Sequence, residues 1–176
     1  MTNMKTIKVD VAVIGAGTAG LAAYRAAKAQ GRTALVIEGG AYGTTCARVG
    51  CMPSKLLIAA AEAAHEARHT APFGVHVDGT IRIDGREVMD RVRRERDRFV
   101  GFVLEGVEAI PAEDRLRGYA RFIDNTTLQV DEHSTVQASR VVIATGSSPV
   151  IPEPFRVYGD RLIVNDDVFA WETLPA

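Results

Sequence analysis

Apolar positions in the first forty residues predict a strand, a helix and a second strand in that order. Residues 9–14 form a short apolar run broken only by Asp10, which is typical of a buried strand. Residues 18–30 are rich in Ala, and Gly31 follows them as a common helix-ending residue. Residues 33–38 predict the second strand. A unit of this size, about 30 residues, indicates parallel strands joined by a right-handed crossover.

Two longer stretches with helical spacing follow this unit. Residues 53–69 are alanine-rich and begin at Pro53, a residue that suits the first turn of a helix. Residues 84–110 carry a single apolar stripe whose members lie mostly three, four or seven positions apart. The arginine-rich stretch within it, residues 91–98, has acidic residues four positions from several arginines. We therefore predict a solvated helix face there.

Beyond residue 115 the pattern changes to short β-rich runs separated by turn residues. Residues 117–123, 127–130 and 135–137 predict an antiparallel meander. Residues 141–144 predict a buried strand that ends at a Gly-Ser-Ser-Pro turn. A short helix is expected near residues 166–170. Alternation of strands and helices in the first half of the chain indicates the α/β class.

Composition narrows the classes of function that remain. The 176 residues are 47% hydrophobic and 24% charged, with a formal net charge of −1. A protein with this balance of charge is not expected to have the concentrated basic surface of nucleic-acid-binding proteins. No apolar run reaches the roughly 20 residues that span a bilayer, and the N-terminus is not typical of a signal peptide. We therefore expect a cytoplasmic location, with neither nucleic acid nor membrane as a partner.

A glycine-rich motif, Gly15-Ala16-Gly17-Thr18-Ala19-Gly20, matches G-x-G-x-x-G between the first predicted strand and helix. Its first glycine permits a tight turn, its second lets a pyrophosphate approach the backbone, and its third lets the helix pack closely. The helix N–H groups would then receive the phosphates. Glu38, at the end of the second strand, can accept hydrogen bonds from a ribose and argues against a 2′-phosphate. The motif predicts a dinucleotide without deciding between FAD and NAD.

The chain has two cysteines, Cys46 and Cys51, five positions apart. One close pair in an apparently cytosolic protein indicates catalysis, metal binding or chance, since small secreted proteins spread several cysteines along the chain. Two thiols fall short of the four ligands of a usual zinc site, and no histidine stands at a completing spacing, so no metal is expected. Helix starts beside both cysteines predict lowered thiol pKa values. A structural disulfide and two buried free thiols are the alternatives.

The segment from Gly43 to Lys55 resembles the G-G-T-C-x-x-x-G-C-x-P-S-K pattern of the pyridine nucleotide–disulfide oxidoreductases, above all the dihydrolipoamide dehydrogenase branch. It departs from that pattern at Thr44, where glycine is usual, and this bears on the conformation of the loop. The glycine motif and the strand end at 141–149 extend the resemblance over essentially the whole chain. It implies an α/β fold, a Rossmann-like FAD-binding domain with a parallel sheet, a long helical pair and an antiparallel β-meander.

The resemblance also implies the roles of particular residues. Cys46 and Cys51 would form a redox-active disulfide, with Cys51 beside the flavin and Cys46 exchanging with the substrate. Lys55 would lie near the flavin, where a positive charge tunes its electronics. The residues that would bind FAD are Gly15, Ala16, Gly17, Thr18, Ala19, Gly20, Glu38, Gly39, Thr45, Cys51, Lys55, Tyr119, Ala120, Ala144, Thr145 and Gly146.

The implied activity is FAD-dependent electron transfer between a dithiol or disulfide, such as lipoamide, and NAD(H). A homodimeric parent protein with a role in cell redox homeostasis is expected. A glutathione reductase-like or mercuric reductase-like enzyme is the alternative within the family. We expect residues 1–150 to be the N-terminal part of the FAD-binding domain and residues 151–176 to lead towards an absent NAD-binding domain. A truncated fragment that binds FAD without turnover is the remaining alternative.

Overall fold

The computed structural model describes residues 4–175, which divide into two compact units. The first unit comprises Met1–Thr45 and Gly101–Ser147, and the second comprises Cys46–Val100 and Ser148–Ala176. The strands are β1 Lys5–Ile14, β2 Ala34–Glu38, β3 Arg115–Arg117, β4 Ala120–Phe122, β5 Thr127–Val130 and β6 Ser134–Ile143. The α-helices are α1 Thr18–Ala29, α2 Thr45–Val49, α3 Cys51–Arg68 and α4 Gly85–Glu108. Short 3-10 helices cover Ala71–Phe73, Ala112–Asp114, Glu153–Arg161 and Asp167–Ala170.

The first unit is built on a six-stranded sheet in the order β3-β2-β1-β6-β5-β4. The central strand β1 runs parallel to β2 and β6, and β3 runs parallel to β2. Strands β4, β5 and β6 form an antiparallel meander. Consecutive residues of β2 point to opposite faces of the sheet, so Leu35 belongs to one hydrophobic core and Val36 to the other. The predicted α/β class, with its mostly parallel sheet and meander, is confirmed.

Helix α1 closes one face of this sheet. Leu21 and Tyr24 are buried against Val107 and Ile110 near the end of α4. The Tyr24 hydroxyl donates to Asp114 Oδ2 over 2.7 Å, and burial together with this hydrogen bond raises the pKa of Tyr24 to about 12. The hydroxyl therefore stays a donor at physiological pH, and it fixes α1 to the 3-10 turn that leads into β3.

The second unit contains α3, the first part of α4 and the C-terminal segment. Met89, Val92 and Phe169 form its small core. Three arginines predicted on a solvated face bind backbone carbonyls instead: Arg91 donates to Leu56 O, Arg93 donates to Trp171 O, and Arg96 donates to Phe169 O. The prediction for residues 91–98 is therefore wrong in part. It failed because sequence spacing shows ion pairs within a helix but not carbonyls supplied by a distant segment.

Three further predictions differ from the structure in the β-rich region. Residues 117–123, predicted as one run of the meander, divide at Gly118, whose φ is 139°, between β3, which pairs with β2, and β4, which pairs with β5. Residues 134–143, predicted as two separate runs, form the single strand β6 because it pairs with β1 along nearly its whole length. Its end was predicted to be buried, yet Ile143 is 67% exposed. Among residues 4–175 no helix is long and apolar enough to cross a membrane.

Candidate functional site

The turn between β1 and α1 is held by close backbone contacts at two of its glycines. Gly15 has a positive φ of 104° and donates its N–H to Ile37 O over 2.8 Å. A Cβ at Gly15 would stand 2.2 Å from Ala144 O, and a Cβ at Gly20 would stand 1.9 Å from Gly15 O. Backbone atoms already fill both places, so packing alone explains why these residues are glycines.

Gly17 differs from its two neighbours in the motif. Its φ of −79° and ψ of −173° are open to any residue, and a Cβ there would meet nothing within 4 Å. Gly17 stands at the N-cap of α1, where no side chain caps the helix. Packing among the described residues therefore gives no reason for glycine at this place. Open space beside uncapped helix N–H groups fits the phosphate-bearing ligand that the sequence predicts.

Glu38 joins the end of β2 to the glycine turn. Its Oε2 accepts a hydrogen bond from the Ala16 N–H over 2.8 Å, and its Oε1 accepts one from the Gly40 N–H over 2.7 Å. Each carboxylate oxygen can accept a second hydrogen bond, so a ribose hydroxyl still has an acceptor here. The carboxylate thus shapes the turn before any ligand binds.

Tyr119 lies against the backbone that follows β2. A Cβ at Gly39 would come within 2.5 Å of the Tyr119 ring, which is 71% exposed. The Tyr119 N–H donates to Asp131 Oδ1 over 3.1 Å, which fixes the connection between β3 and β4 where Tyr119 lies. Ala120, by contrast, packs against the apolar core of the sheet. Tyr119 offers a ligand an exposed aromatic surface, and the Ala120 side chain belongs to the core.

Arg117 belongs to this region but was not predicted. Its guanidinium donates to Gly40 O over 2.7 Å and to Gly39 O over 3.3 Å, and it stands 4.7 Å from the centre of the Tyr42 ring. It thereby holds the loop after Glu38 in one conformation. A lone arginine in a β-rich run carries no motif, so the sequence offered no signal for it.

The strand end predicted to contact the cofactor meets the glycine turn. The Ala144 N–H donates to Ile14 O over 2.8 Å. The Ala144 carbonyl and the Thr145 nitrogen are both among the atoms nearest to a Cβ at Gly15. Gly146 has a positive φ of 71°, so the chain turns there. The first unit thus brings together Gly15, Ala16, Gly17, Thr18, Ala19, Gly20, Glu38, Gly39, Tyr119, Ala144, Thr145 and Gly146.

The two cysteines stand on either side of a short break between α2 and α3. Cys46 lies in the five-residue helix α2, which the sequence did not predict, and Cys51 begins α3. Gly50 separates the helices, and its carbonyl accepts hydrogen bonds from the Ser54 hydroxyl, over 2.7 Å, and from the Ser54 N–H. Cys46 is half-buried, Cys51 is exposed, and both are free thiols joined by a side-chain hydrogen bond. The break therefore presents two sulfurs in contact.

The Cys46 thiol is less acidic than its position near a helix start predicts. The hydrogen bond with the Cys51 thiol, together with burial, raises the pKa of Cys46 above its usual value. Backbone N–H groups of Cys51 and Met52 act in the opposite direction, as a helix start should, but they are outweighed. The predicted lowering is therefore wrong for Cys46. In the dithiol form this group must lose a proton before it can attack a disulfide.

The loop before Cys46 contains the one departure from the family pattern. Gly43 has a φ of 118°, and Thr44 has a φ of 60°. That left-handed conformation is easy for glycine and unfavourable for a β-branched residue, at a cost of about 1–2 kcal/mol. The threonine at this position therefore places backbone strain two residues before Cys46.

We expect Thr44→Gly to raise the free energy of unfolding by about 1 kcal/mol because it relieves this left-handed strain. Urea denaturation followed by circular dichroism would measure the change. Thr45→Gly is the matched control, since Thr45 begins α2 and has no positive φ. A gain in stability in Thr45→Gly, or no gain in Thr44→Gly, would contradict the claim that the backbone is strained at Thr44.

Lys55 and Thr45 complete the set of predicted residues. Lys55 lies one turn beyond Cys51 on α3 and is exposed, and Thr45 is the first residue of α2. No group of three or more potential metal ligands occurs within residues 4–175. Taken separately, the first unit offers a glycine turn with uncapped helix N–H groups, and the second offers two thiols followed by a lysine.

Comparison with known proteins decides the family. The sequence profile of the pyridine nucleotide-disulphide oxidoreductases matches residues 9–172. The chain belongs to this family. Among curated members, dihydrolipoyl dehydrogenase of Chlamydia pneumoniae is 34% identical over 97% of this chain. Mercuric reductase of Shigella flexneri is 39% identical over 95% of it.

The chain is shorter than these family members. It spans 37% of the Chlamydia pneumoniae protein and 30% of the Shigella flexneri protein. Among solved structures, the Cu(II) complex of the HOCl-induced flavoprotein disulfide reductase RclA from Escherichia coli matches this chain with a TM-score of 0.72. The match covers 96% of this chain and 35% of RclA at 22% identity, which shows a shared fold.

Proposed function

We propose that this chain supplies the flavin-binding part and the redox dithiol of an FAD-dependent dithiol–disulfide oxidoreductase. The observation that carries the proposal is the contact between the Cys46 and Cys51 thiols across the break at Gly50. Two sulfurs in contact can close to a disulfide with loss of two protons and two electrons, provided that the side chains adjust to disulfide geometry. The half-buried and exposed positions of the two sulfurs support different tasks. Cys51 would face the flavin, and Cys46 would exchange with the substrate.

FAD is the dinucleotide that we assign to the glycine turn. The open face of Gly17 and the helix N–H groups behind it would hold the pyrophosphate. Glu38 would accept hydrogen bonds from the ribose, and Tyr119 would offer its exposed ring at the adenine end. Lys55 would place a positive charge near the flavin ring. FAD, when bound, supplies a two-electron acceptor between the dithiol and NAD(H).

The substrate is proposed from the relatives. Their names include several dihydrolipoyl dehydrogenases, which favours lipoamide as the disulfide and dihydrolipoamide as the dithiol. The 39% identity with a mercuric reductase makes mercuric ion the second candidate. We further propose a cytoplasmic, homodimeric parent protein, in which residues 1–150 belong to the FAD-binding domain and residues 151–176 lead towards the NAD-binding domain.

The proposal is tested by a single turnover with this chain. We expect the oxidised, FAD-loaded chain, mixed anaerobically with one equivalent of dihydrolipoamide, to yield up to one lipoamide per chain. The substrate dithiol is oxidised, and the disulfide between Cys46 and Cys51 is reduced to two thiols. Chromatography measures the lipoamide, and thiol titration measures the protein.

The controls are Cys46→Ser and Cys51→Ser, each of which removes one sulfur of the pair. Neither variant can close the disulfide, so neither should yield lipoamide. Product from either variant, or none from an oxidised wild-type chain, would overturn the assignment. Mercuric ion added to the reduced, FAD-loaded wild-type chain tests the second candidate, because that activity would pass two electrons to the ion and release elemental mercury, whereas binding to the thiols alone would leave it oxidised.

A further inference from the structure

The loop that follows β2 begins with two adjacent glycines, Gly39 and Gly40. Glycine loses more conformational freedom on folding than any other residue, so a pair of glycines keeps one conformation only where other groups hold it. Within this segment, the Gly40 N–H donates to Glu38 Oε1 over 2.7 Å. That bond fixes one N–H of the loop and leaves its two carbonyls to residues that are distant in the sequence.

Arg117 holds both carbonyls. It is the register partner of Glu38 on the neighbouring strand β3, and the Gly118 N–H that follows it donates to Glu38 O over 3.1 Å. From this position the Arg117 Nη1 donates to Gly40 O over 2.7 Å, and its Nη2 donates to Gly39 O over 3.3 Å. A planar guanidinium suits such a forked contact with two acceptors, whereas a lysine ammonium is a compact charge without that fixed geometry.

Two aromatic rings restrict the same region. A Cβ at Gly39 would come within 2.5 Å of the Tyr119 ring, so this ring lies directly against the loop. The Arg117 guanidinium carbon stands 4.7 Å from the centre of the Tyr42 ring, close enough for a cation–π contact. Tyr42 in turn packs against the core that contains Val36. The guanidinium is therefore held from several directions, although its residue is exposed.

We infer that Arg117 is a positioning residue for the adenosine half of FAD. The inference rests on the proposed function, which assigns the ribose to Glu38 and the adenine end to Tyr119. Arg117 acts through the loop: it keeps Gly39 and Gly40 in one conformation before FAD arrives, so that binding does not have to order them. Glu38 then presents its remaining acceptor positions to the ribose in a fixed direction.

The test combines isothermal titration with FAD and amide hydrogen exchange of the flavin-free chain. Arg117→Met keeps the length of the side chain and removes its donors. We expect this variant to bind FAD about tenfold more weakly, because binding must then order the backbone of roughly one further residue. Exchange should become several-fold faster at residues 39–43 and stay unchanged in the glycine turn, residues 15–20. A general loss of structure would speed exchange in both segments.

Two variants serve as controls. Arg117→Lys keeps a charged donor that can bind one carbonyl at a time, so it should bind FAD only about threefold more weakly than the wild type. Arg140→Met removes an exposed arginine of β6 that also donates to a backbone carbonyl, Ser139 O. It should bind FAD as the wild type does.

Unchanged FAD affinity in Arg117→Met would overturn the inference, even with faster exchange in the loop, because the order of the loop would then not matter to the ligand. An equal loss in Arg140→Met, no recovery in Arg117→Lys, or faster exchange in both segments would overturn it as well. A wild-type chain that fails to bind FAD would overturn the proposed function too. A chain that binds FAD but yields no lipoamide in the single turnover would contradict the proposed redox role alone.

Discussion

Gly20→Ala is expected to lower the free energy of unfolding by about 3 kcal/mol or more, because a backbone carbonyl stands where the new methyl group must go. A Cβ at Gly20 would lie 1.9 Å from Gly15 O and 3.3 Å from Val13 Cγ1. Neither the turn nor α1 can yield without disturbing the contact between helix and strand. Urea denaturation of the flavin-free chain measures the loss.

Gly101→Ala is the control for the Gly20 variant. Gly101 lies inside α4, and a Cβ there would meet nothing within 4 Å. Alanine favours a helix interior over glycine, so this variant should be more stable than wild type, by up to about 1 kcal/mol. If Gly20→Ala were as stable as wild type, the tight packing of α1 on the turn would be wrong.

In contrast to Gly20→Ala, Gly17→Ala should weaken FAD binding while keeping the fold. Its backbone angles suit alanine and its surroundings are open, so we expect stability without flavin to fall only by the cost of replacing an N-cap glycine with alanine, about 1 kcal/mol. The added methyl group would occupy the approach of the pyrophosphate. We expect FAD affinity to fall about 100-fold, which is about 2.7 kcal/mol of binding free energy.

Isothermal titration with FAD, together with denaturation of the same samples, separates the two effects. Gly101→Ala should bind FAD as the wild type does. Unchanged affinity in Gly17→Ala would mean that the dinucleotide does not approach the helix through this residue. A large loss of stability would mean that Gly17 is a packing residue, like Gly15 and Gly20.

The first strand–helix–strand unit and the long helices could be predicted from sequence because their signals are local. The glycine motif, the β-branched runs and the alanine-rich helix each lie within one element. The single strand β6 could not be predicted, because its continuity depends on pairing with β1 more than a hundred residues away. Helix α2 was missed since five residues are too few to show a helical period.

The chemistry of the site could be predicted from the sequence only in part. The closeness of Cys46 and Cys51 is local and was foreseen. The raised pKa of Cys46 was not, because it depends on a hydrogen bond with the other thiol, which outweighs the helix start. Arg117 was missed for a related reason. Its contacts with Gly39 and Gly40 join segments far apart in sequence.

The most direct test of the account is the absorption spectrum of the FAD-loaded chain, recorded anaerobically before and after reduction by a dithiol. The proposed arrangement places the Cys51 sulfur against the flavin, so reduction should produce a long-wavelength band. Cys46→Ser should leave that band in place, and Cys51→Ser should abolish it. A folded, flavin-bound wild-type chain that shows no such band after its disulfide is reduced would contradict the account.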